Sequence, residues 1–394
     1  MSEGVVIAGG GLAAQRCAAA LRRHGYEGRV RIVCAEDAAP YDRPPLSKEA
    51  LSEGRAHGEL ELRPAAWYAE RDLELLLGER AAALVPAERR VEMASGASLR
   101  YERLLVATGA EARSLPGASR RENAHVLRDH GDAARLRAAL RPGARLVIVG
   151  AGFIGLEVAA SARALGVEVA VVEAADAPLA PIVGAGIGGW FANLHRAEGV
   201  DMRLGAAVAS FEGPADRVDA VVLAGGERLV CDAVLVAVGA RPATGWLAGS
   251  GLPTDGVPTD AAGRTSVPRV FAAGDAARPF VAELGAHARC EHWEAAGRQG
   301  AAAAAAMLGL DPPRAPEPSF WSDQYGVRIH HIGRPDGADG IVVEGDPGAR
   351  DFAATWTASG RPVAGLLVGR PGALPHLRRR LAASAAAEQE RVAA

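Results

Sequence analysis

VVIAGGGLAAQRCAAAL, residues 5–21, is a short apolar run that breaks into glycine and continues as an alanine-rich helical pattern. Gly9, Gly11 and Ala14 fall at the G-x-G-x-x-G/A positions. A strand turning through such a loop into a helix is the opening of a βαβ unit that receives a dinucleotide. The first glycine makes the turn, and the second lets main chain approach a pyrophosphate. The third position lets helix and strand pack closely, while N–H groups at the helix start face the negative charge. The design recurs at RLVIVGAGFIGLEVAASA, residues 145–162, with Gly150, Gly152 and Gly155. Each copy then reaches an acid after a second strand-like run. Glu36 follows RVRIVCA and Glu173 follows VEVAVV, both suited to the hydroxyls of an adenosine ribose. One copy alone is a weak signal. Two, each with strand, helix and acid, predict two nucleotides in one chain.

Composition narrows the class. The chain has 394 residues, 49% of them hydrophobic, and a net charge of −3. Two or three domains with real cores fit this length, in a soluble α/β protein. There is no basic excess of the kind that binds nucleic acid. The start, MSEGVVIAGG, runs straight into a strand and lacks the pattern of a signal peptide. No apolar run approaches the ~20 residues that cross a bilayer, so neither a membrane nor export is expected and a cytoplasmic location is. Cys17, Cys34, Cys231 and Cys290 form no C-x-x-C pair and no metal-ligand spacing. Cys17 is expected in the first helix and Cys34 in the second strand, as small buried hydrophobes.

The two fingerprints organise the rest. Residues 1–111 are expected to form the first module, ending on the strand of ERLLVATGAEAR with Thr108 and Gly109 behind it. Residues 112–239 form the second and close on AVLVAVGARP at Gly239. DAAGRTSVPRVFAAGDAA, residues 260–277, supplies a further strand and delivers Asp275 in a Gly-Asp turn. Its economical place is back in the first module, which makes that module discontinuous, 1–111 plus 240–312. A helix is expected from about Trp293 to Leu308, its run Ala301–Ala306 reflecting helix propensity. Beyond the proline-rich DPPRAPEP, residues 313–394 read as an antiparallel sheet followed by a helix that frays into a polar tail.

Of the 44 basic residues only one, Lys48, is lysine. A background so biased toward arginine should have replaced a lysine that served as mere surface charge. Lys48 also ends PYDRPPLSK, a loop stiffened by proline. A compact ammonium differs from a planar guanidinium in size and in how it can be buried and paired. Both features mark Lys48 as functional.

PYDRPPLSK (40–48), ATGAEAR (107–113), GRTSVPRVFAAGDAA (263–277), RCEHWEAAGRQG (289–300) and FWSDQYG (320–326) occur in this order around the two fingerprints. Together they resemble the FAD-dependent, NADH-dependent ferredoxin reductases of bacterial oxygenase systems, from Val5 to about Gly369. The resemblance implies a glutathione-reductase-like α/β fold, with two Rossmann-type nucleotide-binding domains plus a C-terminal α+β interface domain. FAD would lie on the first fingerprint and NADH on the second. Carried over, Gly9, Gly11, Ala14 and Glu36 hold the FAD pyrophosphate and adenosine ribose. Arg43 and Lys48 approach the flavin, Thr108-Gly109 closes over it, and Asp275 holds its ribityl side. The helix starting at Trp293 points its positive end at the flavin N1–C2=O edge, and Trp321 lies close to the ring. Glu157 stands beside the nicotinamide within reach of Lys48, and these two are the expected catalytic residues. Electrons would pass from NADH through FAD to a [2Fe–2S] ferredoxin serving a cytochrome P450 or a ring-hydroxylating oxygenase.

Three further expectations follow. Glu173, followed by Ala174 and Ala175, favours NADH over NADPH because no adjacent arginine meets a 2′-phosphate. Arg289, Arg298 and Arg378–Arg380 are candidate contacts for an acidic partner, although three arginines on a terminal helix also suit a solvated face. His330 and His331, adjacent on a strand, point to opposite faces and hold no metal. Two other functions stay open at this point. One is a disulfide or peroxide reductase or an NADH oxidase on the same fold, against which the missing redox cysteine counts. The other is a nucleotide-binding scaffold whose redox state controls its assembly.

Overall fold

The computed structural model describes residues 3–119, 121–312 and 317–393, excluding the side chains of residues 283 and 388–393. The chain divides into two compact units. One comprises Met1–Asp42, Ala56–Glu111 and Ala240–Ala315; the other comprises Arg43–Arg55, Ala112–Gly239 and Pro316–Ala394.

The first unit is built on a parallel five-stranded sheet. In spatial order the strands are Val270–Ala272, Arg103–Val106, Val5–Ala8, Val30–Val33 and Leu73–Leu76. The return of Val270–Ala272 to pair with Arg103–Val106 is the discontinuity that residues 260–277 lead one to expect. All four residues of Val5–Ala8 are buried because the sheet is covered on both faces. Val5 and Ile7 face the helices Leu12–Arg23 and Trp293–Met307. Val6 and Ala8 face a layer that includes the antiparallel sheet Ala81–Val85, Arg90–Met93 and Ser98–Arg100. Cys17 lies within the first helix, and Cys34 falls one residue past its strand, still buried. The alanine run is more than helix propensity. Ala302–Ala306 are all buried, and a Cβ on Gly300 would come within 2.1 Å of the Ala13 carbonyl oxygen. Small side chains let these two helices touch nearly backbone to backbone.

The second unit repeats the plan. Its parallel sheet runs Asp201–Leu204, Glu168–Glu173, Arg145–Val149, Ala233–Val236 and Ala124–His125. The helix Phe153–Ala164 follows the second glycine loop. The glycine-rich segment 178–195 forms the helix Ala180–Ala197, broken at Gly184 where φ is 74°. Residues 319–368 form the expected antiparallel sheet of five strands: Ser319–Gln324, Val327–Gly333, Arg361–Val368, Asp351–Ala358 and Gly340–Asp346. The final helix runs Leu374–Ala393 with no break into a tail, and buries Leu377 and Leu381 against Ile332 and Leu367.

The units differ from the expected modules in two places. Arg43–Arg55, expected within 1–111, belongs to the second unit. Ser161 Oγ donates to the Ser47 carbonyl (2.7 Å), Arg43 donates to the Arg128 carbonyl (2.6 Å), and helix Glu49–Ser52 packs on helices His130–Ala139 and Phe153–Ala164. The segment expected as a separate module, 313–394, has its described part in that same unit. Trp190 Nε1 donates to the Pro347 carbonyl (2.9 Å) and Arg350 pairs with Glu198 (2.5 Å), tying the last sheet to the helix before it. The boundary expected at 313 falls within 313–316, outside the described residues. Among the described residues no helix is long and apolar enough to cross a membrane.

Candidate functional site

Both glycine loops have the shape a pyrophosphate needs. Gly9 (φ 131°) and Gly150 (φ 105°) adopt a backbone closed to other residues. A Cβ there would lie 2.0 Å from the Ala107 carbonyl oxygen or 2.4 Å from that of Ala237. These glycines press the turn against the neighbouring strand. Gly11 and Gly152 are the opposite case. Each is the residue before its helix, and a Cβ on either would meet nothing within 4 Å. The main chain there borders open space at a helix N-terminus, the cradle an anionic phosphate fills. At the third position Ala14 is fully buried, and a Cβ on Gly155 would sit 2.1 Å from the Gly150 carbonyl oxygen. These residues fit a dinucleotide in each unit.

The acids are held ready. Glu36, half-buried, accepts from Tyr41 Oη at 2.6 Å. Glu173 is the last residue of its strand, and its two oxygens accept the N–H groups of Ala151 (2.8 Å) and Ala175 (2.9 Å). It thereby bridges the glycine loop and the loop behind its own strand, with its remaining lone pairs available to a ribose.

In the first unit Thr108 Oγ1 donates to the Ala243 carbonyl (2.7 Å), and the Gly109 carbonyl accepts from Ala243 N–H (2.9 Å). Asp275 lies in the 3-10 turn Gly274–Ala276, anchored where Gly274 N–H meets Gln299 Oε1 at 2.8 Å. Trp293 opens its helix with Nε1 donating to Asp42 Oδ1 at 2.5 Å and the Arg16 guanidinium 6.0 Å from its ring centre. In the second unit Gly239 (φ 95°) accepts from Arg113 N–H at 2.9 Å. Trp321 lies on strand Ser319–Gln324, opposite His330.

The most concentrated chemistry in the second unit surrounds Glu157, 5% exposed on the helix that leaves the second glycine loop. Lys48 Nζ lies 2.9 Å from Oε2, and Ser47 Oγ donates to the same oxygen at 2.5 Å. Ser322 Oγ donates to Oε1 at 2.6 Å. Lys48 Nζ also donates to the Pro44 carbonyl at 3.0 Å, inside the 3-10 turn Pro44–Ser47. The two prolines hold that turn with little freedom, so the ammonium reaches the carboxylate from a fixed base. Behind Ser322, Gln324 Nε2 donates to its hydroxyl (3.0 Å), Gln324 Oε1 meets His195 Nε2 (2.9 Å), and His195 Nδ1 meets Tyr325 Oη (2.8 Å). Burial lowers the His195 pKa to about 4, against smaller opposing effects of Gln324 and Glu198, so the ring is neutral near pH 7.

Ser47, Ser322, Gln324, His195, Tyr325, Tyr41, Asp42 and Gln299 were not singled out by the sequence. One signal was present. In FWSDQYG the period of a strand puts Ser322 and Gln324 on one face, and both are buried.

Three of the four thiols are poor nucleophiles. Cys17, Cys34 and Cys231 are buried, and burial raises all three thiols, Cys34 to about 12 and Cys231 to about 11. Cys290 alone is half-buried. No group of three His, Cys, Asp or Glu residues able to hold a metal occurs among the described residues, and His331 stacks on Phe320 instead (4.9 Å). Of the candidate docking arginines, Arg289 pairs with Glu291 (2.6 Å) and Arg298 with Glu294 (3.4 Å); Arg378–Arg380 are exposed, with Arg378 also donating to Ser319 Oγ (3.3 Å).

Residues 3–300 match the family model described as "Pyridine nucleotide-disulphide oxidoreductase", and residues 319–394 match "Reductase C-terminal". The chain is 41% identical over 349 residues to the biphenyl dioxygenase system ferredoxin--NAD(+) reductase component of Paraburkholderia xenovorans (strain LB400), covering 88% of this chain and 85% of that one. It is 37% identical over 345 residues to rhodocoxin reductase of Rhodococcus erythropolis, covering 86% and 80%. Among solved structures, the covalent putidaredoxin reductase–putidaredoxin complex superposes with a TM-score of 0.92 at 34% identity, over 96% of this chain and 92% of that one.

Proposed function

Because the chain belongs to the pyridine nucleotide-disulphide oxidoreductase family and carries its reductase C-terminal module, we propose that it is an FAD-containing, NADH-dependent ferredoxin reductase. Its acceptor is a [2Fe–2S] ferredoxin that serves a ring-hydroxylating oxygenase or a cytochrome P450. Of the relatives named above, one is the ferredoxin--NAD(+) reductase component of a biphenyl dioxygenase system and another a rhodocoxin reductase, both similar over most of their length. Bound FAD would take electrons from NADH as a pair and release them singly, which is what a one-electron cluster requires.

Gly9, Gly11, Ala14 and Glu36 hold the pyrophosphate and adenosine end of FAD in this reading. Arg43, Thr108, Gly109, Asp275, Trp293 and Trp321 serve the flavin end. Gly150, Gly152, Gly155, Glu173 and Gly239 bind NADH. Lys48 and Glu157 orient the nicotinamide as an ion pair in a nearly dry site. The N-terminus of the Trp293 helix offers its positive end to the flavin edge where negative charge collects. A protein that draws on NADH belongs with the NADH pool, in the cytoplasm.

The single observation that carries this reading is the pairing of two intact nucleotide cradles with three thiols, Cys17, Cys34 and Cys231, that are buried and raised. With those thiols withdrawn from a relay, electrons leave directly to a docked protein. The test is NADH-driven reduction of a [2Fe–2S] ferredoxin by the FAD-loaded protein across an ionic-strength series, beside disulfide and oxygen as acceptors. Ferredoxin reduction that weakens with salt, and weakens again on charge reversal at Arg378–Arg380, is the expected result. Rapid turnover of a disulfide or of oxygen, with no ferredoxin reduced, would overturn it.

A further inference from the structure

The hydrogen bonds behind Glu157 have a direction, and the carboxylate sets it. Glu157 Oε1 can only accept, so Ser322 must donate its single hydroxyl proton across their 2.6 Å contact. The Ser322 oxygen must then accept from Gln324, which requires the amide to present Nε2 to it at 3.0 Å. The amide oxygen is left facing His195 at 2.9 Å, so His195 Nε2 carries the proton. The neutral ring has only one N–H, and its Nδ1 must accept from Tyr325 Oη at 2.8 Å. Four donors point one way, from the half-buried tyrosine to the carboxylate. Ser322, Gln324 and His195 are at most 1% exposed. A polar chain this deep persists only when every donor and acceptor is matched, and a single reversal would leave two lone pairs or two protons in contact.

We propose that Tyr325, His195, Gln324 and Ser322 are positioning residues that lock Glu157 in the one rotamer that NADH meets. They hold Oε1 so that Oε2 stays with Lys48 and Ser47. The amide of Gln324 interrupts any path for proton transfer, so the chain orients the carboxylate and moves no proton. This inference rests on the reading of Lys48 and Glu157 as the nicotinamide-orienting pair.

The experiment uses the full-length, FAD-loaded protein and two readouts. The first is the tautomer of His195 by nitrogen NMR of histidine-labelled protein. Wild type should show the proton on Nε2, and Tyr325→Phe should keep it there, because Gln324 Oε1 still faces Nε2 and needs a donor. The second is anaerobic reduction of the bound flavin by NADH. Ser322→Ala should lower the limiting rate about tenfold, with little change in half-saturation by NADH, because a loosened carboxylate costs alignment more than binding. Ser322→Thr, which keeps the hydroxyl, should recover most of that rate. Should Ser322→Ala fail to fold, Tyr325→Phe carries the rate test as well, with a loss of about threefold expected from the far end of the chain. Glu157→Gln separates the two ideas. If it slows reduction while neither Ser322→Ala nor Tyr325→Phe does, the positioning role is wrong and the reading of the pair stands. If Glu157→Gln has no effect, the pair itself is misread and this inference falls with it. A wild-type His195 protonated on Nδ1 refutes the direction of the chain outright.

Discussion

Removing Lys48 should cripple electron entry while leaving the cofactor in place. Lys48 and Glu157 lie 2.9 Å apart with side chains 12% and 7% exposed. At an effective dielectric of ~20, two unit charges at that separation attract by about 6 kcal/mol before desolvation is counted. Taking one partner from a buried pair costs ~3–5 kcal/mol, most of it the uncompensated charge left behind. Here Ser47 and Ser322 still donate to the carboxylate, and water can enter where the ammonium was partly exposed. Those contributions offset some of the loss, leaving a destabilisation of roughly 2–3 kcal/mol in Lys48→Ala. The kinetic effect should be larger in consequence. A shift of ~1 Å in an orienting group costs on the order of 10²-fold in rate, equivalent to ~2.7 kcal/mol of barrier. Lys48→Arg should rescue little, because a planar fork cannot sit where a compact ammonium bonds both the Pro44 carbonyl and Glu157. The assay is anaerobic stopped-flow loss of oxidised-flavin absorbance after mixing with NADH, with FAD content and Tm measured on the same samples. An unchanged limiting rate in Lys48→Ala, with the flavin bound and the fold intact, would refute the orienting role and leave the lysine a survivor of composition.

Three other outcomes are expected. The kcat/KM for NADH should exceed that for NADPH, because a 2′-phosphate would meet the Glu173 carboxylate; Glu173→Ala should narrow the ratio by about 10- to 100-fold, the worth of a charge-assisted hydrogen bond, and a wild type that prefers NADPH would sink the assignment. Stability should fall as pH drops from about 6.5 toward 4, because unfolded His195 takes up a proton at its ordinary pKa of 6.5 while the folded ring, lowered to about 4 by burial, stays neutral. The full effect is roughly 3 kcal/mol, complete only below the folded pKa and absent above 6.5, and urea midpoints of wild type and His195→Gln measured down that range should diverge unless the ring is accessible. Cys290→Ser should keep full NADH-driven ferredoxin reduction, since the other three thiols are buried and raised; a severe loss would bring back a thiol-based reaction.

How much of this was legible in one dimension follows from the range of each interaction. The glycine loops, their strands and the acids behind them are local: turn geometry, helix start and strand period act within about 30 residues, so Gly9, Gly150, Glu36 and Glu173 could be placed by spacing alone. The return of Val270–Ala272 to the first sheet was readable because a buried strand must find a neighbour. Composition singled out Lys48 but said nothing of what surrounds it. The three-dimensional fold alone joined Ser47, Glu157, His195 and Ser322, residues with no periodic relation, into a single hydrogen-bonded cluster. It also carried Arg43–Arg55 away from its neighbours in sequence and into the second unit. A serine or glutamine has no signature of its own, because a hydroxyl or amide is equally at home in water. Its role appears only when burial removes that water and obliges each donor to find the one acceptor within reach.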